Sequence, residues 1–206
     1  MSIDALLEQL KHPNPHLRDR AMWELAETED ATVIPRLMSA LDEEDTTYRR
    51  AAVKTLGVIG HETIPPLLET LQTSENVTAR GSAVKALAQI AVCYPEVPFP
   101  EAGMQGLKAA LGDSNPVVNI AAVMTLGEIG SADAFDMLLE TLKTTDNVAL
   151  AVSITNTFGS IEDSRGAAVL KTLIEDESVD KYVQESAVSA LSRLELVMNN
   201  KPPGQT

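Results

Sequence analysis

The segment RRAAVKTLGVIG, residues 49–60, decides the fold, because the chain repeats it in nearly the same form. It returns as RGSAVKALAQIA and again as NIAAVMTLGEIG. Ala52, Leu56 and Ile59 stand at i, i+4 and i+7, so they share one face of a helix, and both later copies keep this pattern. A short amphipathic helix that recurs in this way predicts an array of stacked repeats.

Two series of apolar residues show that each repeat is a pair of helices. One series lies near the end of the second helix: Leu25, Leu56, Leu87, Leu126, Phe158 and Leu191. The other ends the preceding apolar segment: Leu10, Leu41, Leu71, Leu111, Leu142 and Leu173. Because the two series advance together, they indicate a repeated helix pair, and such pairs bury their apolar faces by stacking.

The sequence therefore predicts an all-α fold, a right-handed α-solenoid of six helix pairs in one domain over residues 1–195. Asn14–Pro15 and Asn115–Pro116 are typical of helix starts, and the glycines of GVIG and GEIG are typical of helix ends. The predicted pairs are 2–30, 31–61, 62–92, 101–131, 132–163 and 164–195. A proline-rich insertion occupies 93–101, and 196–206 is predicted to be a flexible tail.

Composition narrows the classes of partner. The net charge is −14 and aromatic residues make up only 3%. An acidic surface repels nucleic acid and anionic membranes, so we expect protein partners, with no nucleic acid and no membrane insertion. The start of the chain lacks the pattern of a signal peptide, and no apolar run is long enough to span a membrane, which predicts a cytoplasmic protein.

The lead-in to each second helix carries a resemblance to a known family. The pattern R-x-x-A occurs at Arg18, Arg49 and Arg80, and R-x-x-A-A-x-A-L-G-x-I-G on a pair of about 31 residues resembles the HEAT repeat. The resemblance implies that this arginine ladder is structural, bonding to loop carbonyls or to an acid such as Asp42 or Asp45.

Two longer segments resemble narrower groups of HEAT-like proteins. LKHPNPHLRDRAMWELAE and YPEVPFPEAGMQGLKAALGDSNPVVNIAAVMTLGEIG are similar to the phycobilin lyase and chaperone group of cyanobacteria, with its CpcF-like and CpeZ-like members. They are equally similar to IaiH-like HEAT proteins, which associate with the iron–sulfur carrier IscA. The first resemblance implies a scaffold or chaperone that works with a phycobiliprotein subunit or a lyase subunit. The second implies a non-catalytic partner of A-type carriers in iron–sulfur cluster assembly.

Neither resemblance implies catalysis by this chain alone; at most it implies a lyase-like accessory subunit. We expect no resident cofactor, and the first resemblance implies a bilin bound transiently. The three histidines lack ligand spacing, so no metal site is predicted. Cys93 is read as a buried small apolar residue, with a cluster shared between two chains as the remote alternative.

The candidate binding surface follows from the HEAT resemblance, which implies that the second helices line a concave groove. If Ala52, Leu56 and Ile59 face the core, positions 51, 54, 55 and 58 face the groove. The residues expected to contact a partner there are Arg20, Trp23, Lys54, Lys85 and Met124. The alternative is a solvated helix face with one half-buried tryptophan.

The proline-rich insertion offers a second candidate surface. Tyr94 and Phe99 bracket it, and two aromatic side chains in one loop are typical of a contact with a partner. They equally suit a seal over the core at the point where the array is interrupted, and the sequence leaves both interpretations open.

Overall fold

The computed structural model describes residues 1–161 and 163–199, and this part of the chain consists of helices joined by turns, without a strand. The helices are α1 Ile3–Gln9, α2 Pro15–Ala26, α3 Val33–Met38, α4 Thr46–Ile59, α5 Ile64–Thr73, α6 Val77–Cys93, α7 Glu101–Leu111, α8 Pro116–Ile129, α9 Ala132–Thr144, α10 Val148–Phe158, α11 Gly166–Glu175 and α12 Lys181–Asn199, with a 3-10 helix at His61–Thr63. The predicted all-α class with successive helix pairs is confirmed.

Capping residues that are recognisable in the sequence explain where the helices begin and end. Asn14 caps α2, its side chain accepting a hydrogen bond from the backbone N–H of His16, and Pro15 takes the first helical position. At the ends of α4 and α8, Gly60 and Gly130 adopt positive φ values of 93° and 61°. Residues with a Cβ rarely adopt such values, so the chain leaves these helices at glycine.

The chain divides into two compact units, Met1–Thr125 and Leu126–Thr206. In the first unit, the second helices α2, α4 and α6 pack side by side. Leu25, Leu56 and Leu87 are almost completely buried beneath them, as the repeated apolar series predicts. Each first helix packs against its own second helix in the pairs α1–α2, α3–α4 and α5–α6.

A glycine sets how closely consecutive second helices approach. A Cβ built on Gly57 of α4 would lie 2.3 Å from the Cβ of Gln89 on α6, far inside van der Waals contact. In the second unit, the glycines at the same repeat position meet the next second helix in the same way: Gly127 faces Thr157, and Gly159 faces Ala190. The glycine of the repeated L-G-x-I-G is therefore required by this close approach.

The residue at the arginine-ladder position ties down the turn within its own repeat. Its side chain donates to the carbonyl oxygen six residues earlier in four repeats: Arg18 to His12 (2.6 Å), Arg49 to Glu43, Arg80 to Ser74 (3.0 Å) and Asn119 to Asp113 (3.1 Å). In the last repeat, Gln184 donates to the carbonyl of Asp176 at 2.7 Å. These bonds satisfy carbonyl groups that no helix pairs internally.

The acid that joins this ladder is not one of those suggested by the sequence. Arg80 forms a two-pronged salt bridge with Asp113, with N–O distances of 2.8 and 3.1 Å. Both side chains are mostly buried, 14% and 12% exposed. Asp45 instead caps α4, and Asp42 accepts from the amide of Asn76 at 3.3 Å. The pattern within one repeat does not predict this partner of Arg80, because Asp113 lies in the turn of the following repeat.

The second unit contains a buried aromatic pair and an ion-pair network around Arg165. Phe135 and Phe158 are buried with ring centroids 4.7 Å apart. The guanidinium of Arg165 lies 4.4 Å from the Phe135 ring centroid and bonds to Asp163 and Asp136. The hydrogen bond from Arg165 holds the pKa of the Asp163 carboxyl below its ordinary value.

Two features of the second unit differ from the sequence expectation. Leu142 and Leu173, members of the predicted core series, are only half-buried and line an open groove of about 520 Å³ between α9 and α11. In addition, α12 continues to Asn199, so the start of the predicted tail at 196–206 is helical, and residues 200–206 lie outside the described residues.

Replacing Gly57 tests the role of the close approach. In Gly57→Ala the new methyl group collides with Gln89, so α4 and α6 must separate, and the free energy of unfolding should fall by about 1–3 kcal/mol. Urea denaturation followed by circular dichroism measures this loss. Gly81→Ala is the matched control on α6, because its Cβ meets only a Val117 methyl at 3.4 Å. That variant should keep or gain stability, and equal losses in the two variants would contradict the account.

The pairing of Arg80 with Asp113 predicts a pH-dependent loss. The hydrogen bonds from Arg80 hold the pKa of the Asp113 carboxyl below its ordinary value. The pair's contribution is therefore complete above the ordinary pKa of about 3.9 and is lost as the pH falls through the lowered pKa.

We expect Arg80→Ala to cost about 1–3 kcal/mol of unfolding free energy at neutral pH, because it leaves a mostly buried carboxylate unpaired. The difference from the native chain should shrink below the ordinary pKa of aspartate. The control variant Arg50→Ala removes an exposed arginine of α4. It should change the free energy of unfolding by less than about 0.5 kcal/mol. A deficit that stays constant at acidic pH would show that the ion pair is not its source.

Candidate functional site

Four exposed side chains occupy the same repeat position on the second helices of the first unit. Trp23 on α2, Lys54 on α4, Lys85 on α6 and Met124 on α8 all point into solvent. Trp23 is 55% and Met124 62% exposed, high values for large apolar side chains. We call these four residues the second-helix stripe.

Helix geometry explains why this position is exposed. Position 54 lies opposite the buried Ala52 and Leu56, since two residues turn a helix by about 200°. On α4, the expectation that positions 51 and 55 also face the groove is wrong, whereas Arg20, at the equivalent of position 51 on α2, is 55% exposed. Ala51 is 9% exposed, and Thr55 is completely buried with its hydroxyl bonded to the Ala51 carbonyl at 2.8 Å. These positions lie on the flanks of the helix, where consecutive second helices pack together.

The cations on this face are weakly paired. Lys54 meets Asp19 at 3.4 Å, and both side chains are about half exposed, at 56% and 49%. Arg20 meets Glu24 at 3.7 Å, again near the surface. Exposed pairs at such distances contribute little, so these charges remain available to a partner. Among the described residues, Arg50 and Lys85 form no ion pair.

A shallow cavity of about 250 Å³ lies beside Lys54, between α2 and α4. Arg18, Asp19, Arg50 and Lys54 contribute charged groups to its wall, and Thr46 and Thr47 contribute hydroxyls. Positive groups outnumber negative ones there, in a chain whose net charge is −14. Sequence reasoning missed Arg50, although its spacing of i, i+4 to Lys54 places both on one helix face.

Apolar groups mark the α8 end of the stripe. Val117 is 54% exposed and lies two helical turns from Met124, on the same face of α8. Trp23 marks the α2 end. The stripe therefore presents an apolar group at each end and two lysines between them.

The other candidate residues lie outside the stripe. The ladder arginines Arg18, Arg49 and Arg80 hold turn carbonyls. Tyr94 donates a hydrogen bond to the Val58 carbonyl at 2.5 Å and covers Gly60, whose added Cβ would lie 2.7 Å from its ring.

Phe99 likewise covers Gly103, at 2.5 Å from an added Cβ. Both aromatic rings are thus engaged within the first unit, as a seal over the core requires, and a contact between this loop and a partner stays a prediction.

Within 1–161 and 163–199, no group of three or more His, Cys, Asp or Glu residues could hold a metal ion. Cys93 is exposed at the end of α6, so the expectation that it is a buried apolar residue is wrong. No helix in this part of the chain is long and apolar enough to cross a membrane. The stripe offers binding groups, namely two ammonium groups, an indole and a thioether, and Arg50 adds a guanidinium group beside Lys54.

Comparison with known proteins identifies the repeat and two relatives. The family model for HEAT repeats matches residues 3–90 and 104–192. The uncharacterized phycocyanin operon protein Z of Pseudanabaena tenuis (strain PCC 7409) is 58% identical over 201 residues, covering 98% of this chain and 99% of the relative. The bilin biosynthesis protein CpeZ of Synechococcus sp. (strain WH8020) is 33% identical over 172 residues, covering 81% and 92%.

A solved structure shares the fold. It is the complex of CpcE and CpcF of phycocyanin lyase from Nostoc sp. PCC7120, with a TM-score of 0.51 and 18% identity over 75% of this chain and 96% of the matched chain. At this identity the likeness concerns the fold alone. The predicted HEAT-repeat fold and the resemblance to the phycobilin lyase and chaperone group are confirmed.

The exposure of the stripe predicts that its side chains add little to stability. We expect Trp23→Ala, Lys54→Ala, Lys85→Ala and Met124→Ala each to change the free energy of unfolding by less than about 0.5 kcal/mol. Thermal and urea denaturation of the purified variants measure this. Thr55→Lys, which inserts a charge at the buried neighbouring position, should cost several times more. A stripe variant that loses more than about 1 kcal/mol would place that side chain in the packing.

Proposed function

The chain belongs to the HEAT-repeat family, and from this premise we propose that it is a phycobiliprotein-biogenesis factor. It holds a protein client, a phycobiliprotein subunit or a lyase subunit, as a scaffold or chaperone. The observation that carries the proposal is the 33% identity to the bilin biosynthesis protein CpeZ, which extends over 81% of this chain and 92% of that protein. The relative at 58% identity, named for a phycocyanin operon, supports the same process.

The second-helix stripe is the contact surface that we propose for this client. Its exposed tryptophan belongs to the residue types that dominate binding energy at protein interfaces, and its two lysines offer charges complementary to carboxylates of a partner. The weak pairing of Lys54 with Asp19 means that little interaction energy is lost when a partner carboxylate displaces Asp19. A bilin carried by the client, or bound transiently, would bring carboxylates to which the same cations can donate hydrogen bonds.

The proposal assigns no covalent step to this chain. Its candidate groups bind and orient, and the reacting groups belong to the client or to a lyase subunit. The role of partner for an A-type iron–sulfur carrier, which the sequence also suggested, is the alternative outcome of the experiment below.

We expect the tagged chain, expressed in a phycobilisome-containing cyanobacterium and affinity-purified, to bring down phycobiliprotein or lyase subunits. Visible bilin absorption in the eluate would accompany a pigmented client. In a titration with the purified subunit, Lys54→Ala or Trp23→Ala should raise Kd about tenfold, equivalent to about 1.4 kcal/mol. Lys171→Ala, at an exposed lysine on α11 of the second unit, is the matched control and should leave Kd unchanged.

Two results would contradict the proposal. A colourless eluate that contains an A-type carrier and no phycobiliprotein or lyase subunit would assign the chain to iron–sulfur assembly. Retention of the client with unchanged Kd in both stripe variants would keep the process but move the contact surface elsewhere.

A further inference from the structure

The order of chemical groups along the stripe restricts what can bind there. Read across the second helices, the order is tryptophan, lysine, lysine, methionine. Apolar anchors therefore flank a cationic centre, which Arg50 strengthens because it lies one turn from Lys54 on the same face of α4. A complementary ligand carries two carboxylates at its centre and an apolar group on each side of them.

The spacing of the stripe indicates the conformation of that ligand. Packed helices lie about 8–10 Å apart, so adjacent members of the stripe are separated by about that distance. In a helix, residues seven apart share one face and lie about 10.5 Å apart. In an extended chain, residues three apart span about 10 Å but point to opposite faces, and residues two apart span only about 6.6 Å. A helix matches the stripe, whereas a strand does not.

We propose that the stripe binds an acidic amphipathic helix of a partner protein, with apolar, acidic, acidic and apolar residues at successive heptad positions. The helix lies across α2, α4, α6 and α8. This inference rests on the proposed function only in taking the stripe as the contact surface; it adds the chemistry and conformation of the client segment.

Asp19 is the internal competitor of this helix. Its carboxylate lies 3.4 Å from the Lys54 ammonium in a half-exposed pair, so it occupies a charge that the partner would use. Removing the Asp19 charge should therefore strengthen binding. Such a gain cannot arise from misfolding, which makes it a sharp test of the electrostatic part of the inference.

The probe is a synthetic helical peptide with Leu at positions 1 and 22 and Glu at positions 8 and 15, so that all four share a face by the heptad spacing of about 10.5 Å. The matched control peptide has the same composition with Glu at positions 10 and 17, on the opposite face. Neither peptide contains tryptophan. Trp23 is the one tryptophan of the chain, so its fluorescence reports binding directly.

We expect the heptad peptide to shift the Trp23 emission to the blue and to bind at least tenfold more tightly than the control peptide. Lys85→Glu should weaken its binding at least tenfold, Asp19→Asn should tighten it several-fold, and Lys171→Glu should leave it unchanged. Added salt should weaken binding, because the central contacts are between partly exposed charges.

Equal binding of the two peptides, or no change in emission with either, would overturn the inference. A change in Trp23 emission with free bilin, but with neither peptide, would also overturn the inference. It would identify the stripe as a bilin-binding surface. These results are separable from failure of the proposed function. If client subunits still co-purify while the peptides fail to bind, the proposed function stands and only the inference of a bound helix is contradicted.

Discussion

The close contact of consecutive second helices is the constraint on which the rest of the surface depends. Gly57, Gly127 and Gly159 allow this contact, because a Cβ at each would lie within about 3 Å of the neighbouring helix. The flanking positions, such as Thr55, are consequently buried between helices. What remains exposed on each second helix is a narrow face, and in the first unit that face carries the second-helix stripe.

The basic side chains fall into two groups: one stabilises the fold, and the other is available to bind a partner. Arg80 and Arg165 are held in hydrogen-bonded networks with aspartates, and Arg18 and Arg49 are bound to turn carbonyls, so these side chains stabilise the fold. Lys54 and the cations around it have weak partners or none among the described residues. A net charge of −14 discourages unspecific contact with other acidic surfaces, while this local group attracts carboxylates.

Much of the fold could be predicted from periodicity, because burial of Leu25, Leu56 and Leu87 requires only that a helix turn 100° per residue. Caps such as Asn14 and Gly60 are equally local. The flanks of the helices could not be predicted in this way, since burial of Thr55 depends on the distance to the next helix. Asp113 was missed for the same reason: its partner comes from another repeat. Arg50 could have been predicted from the sequence, because its i, i+4 spacing to Lys54 places both side chains on one helix face.

The central claim is that a client contacts the first unit along the second-helix stripe, and photo-crosslinking tests it most directly. A benzophenone amino acid would be placed at position 85, and in a parallel variant at position 169, in the apolar groove between α9 and α11. With a purified phycobiliprotein subunit, the account predicts a crosslink from position 85 and none from position 169. A crosslink from position 169 alone would contradict it.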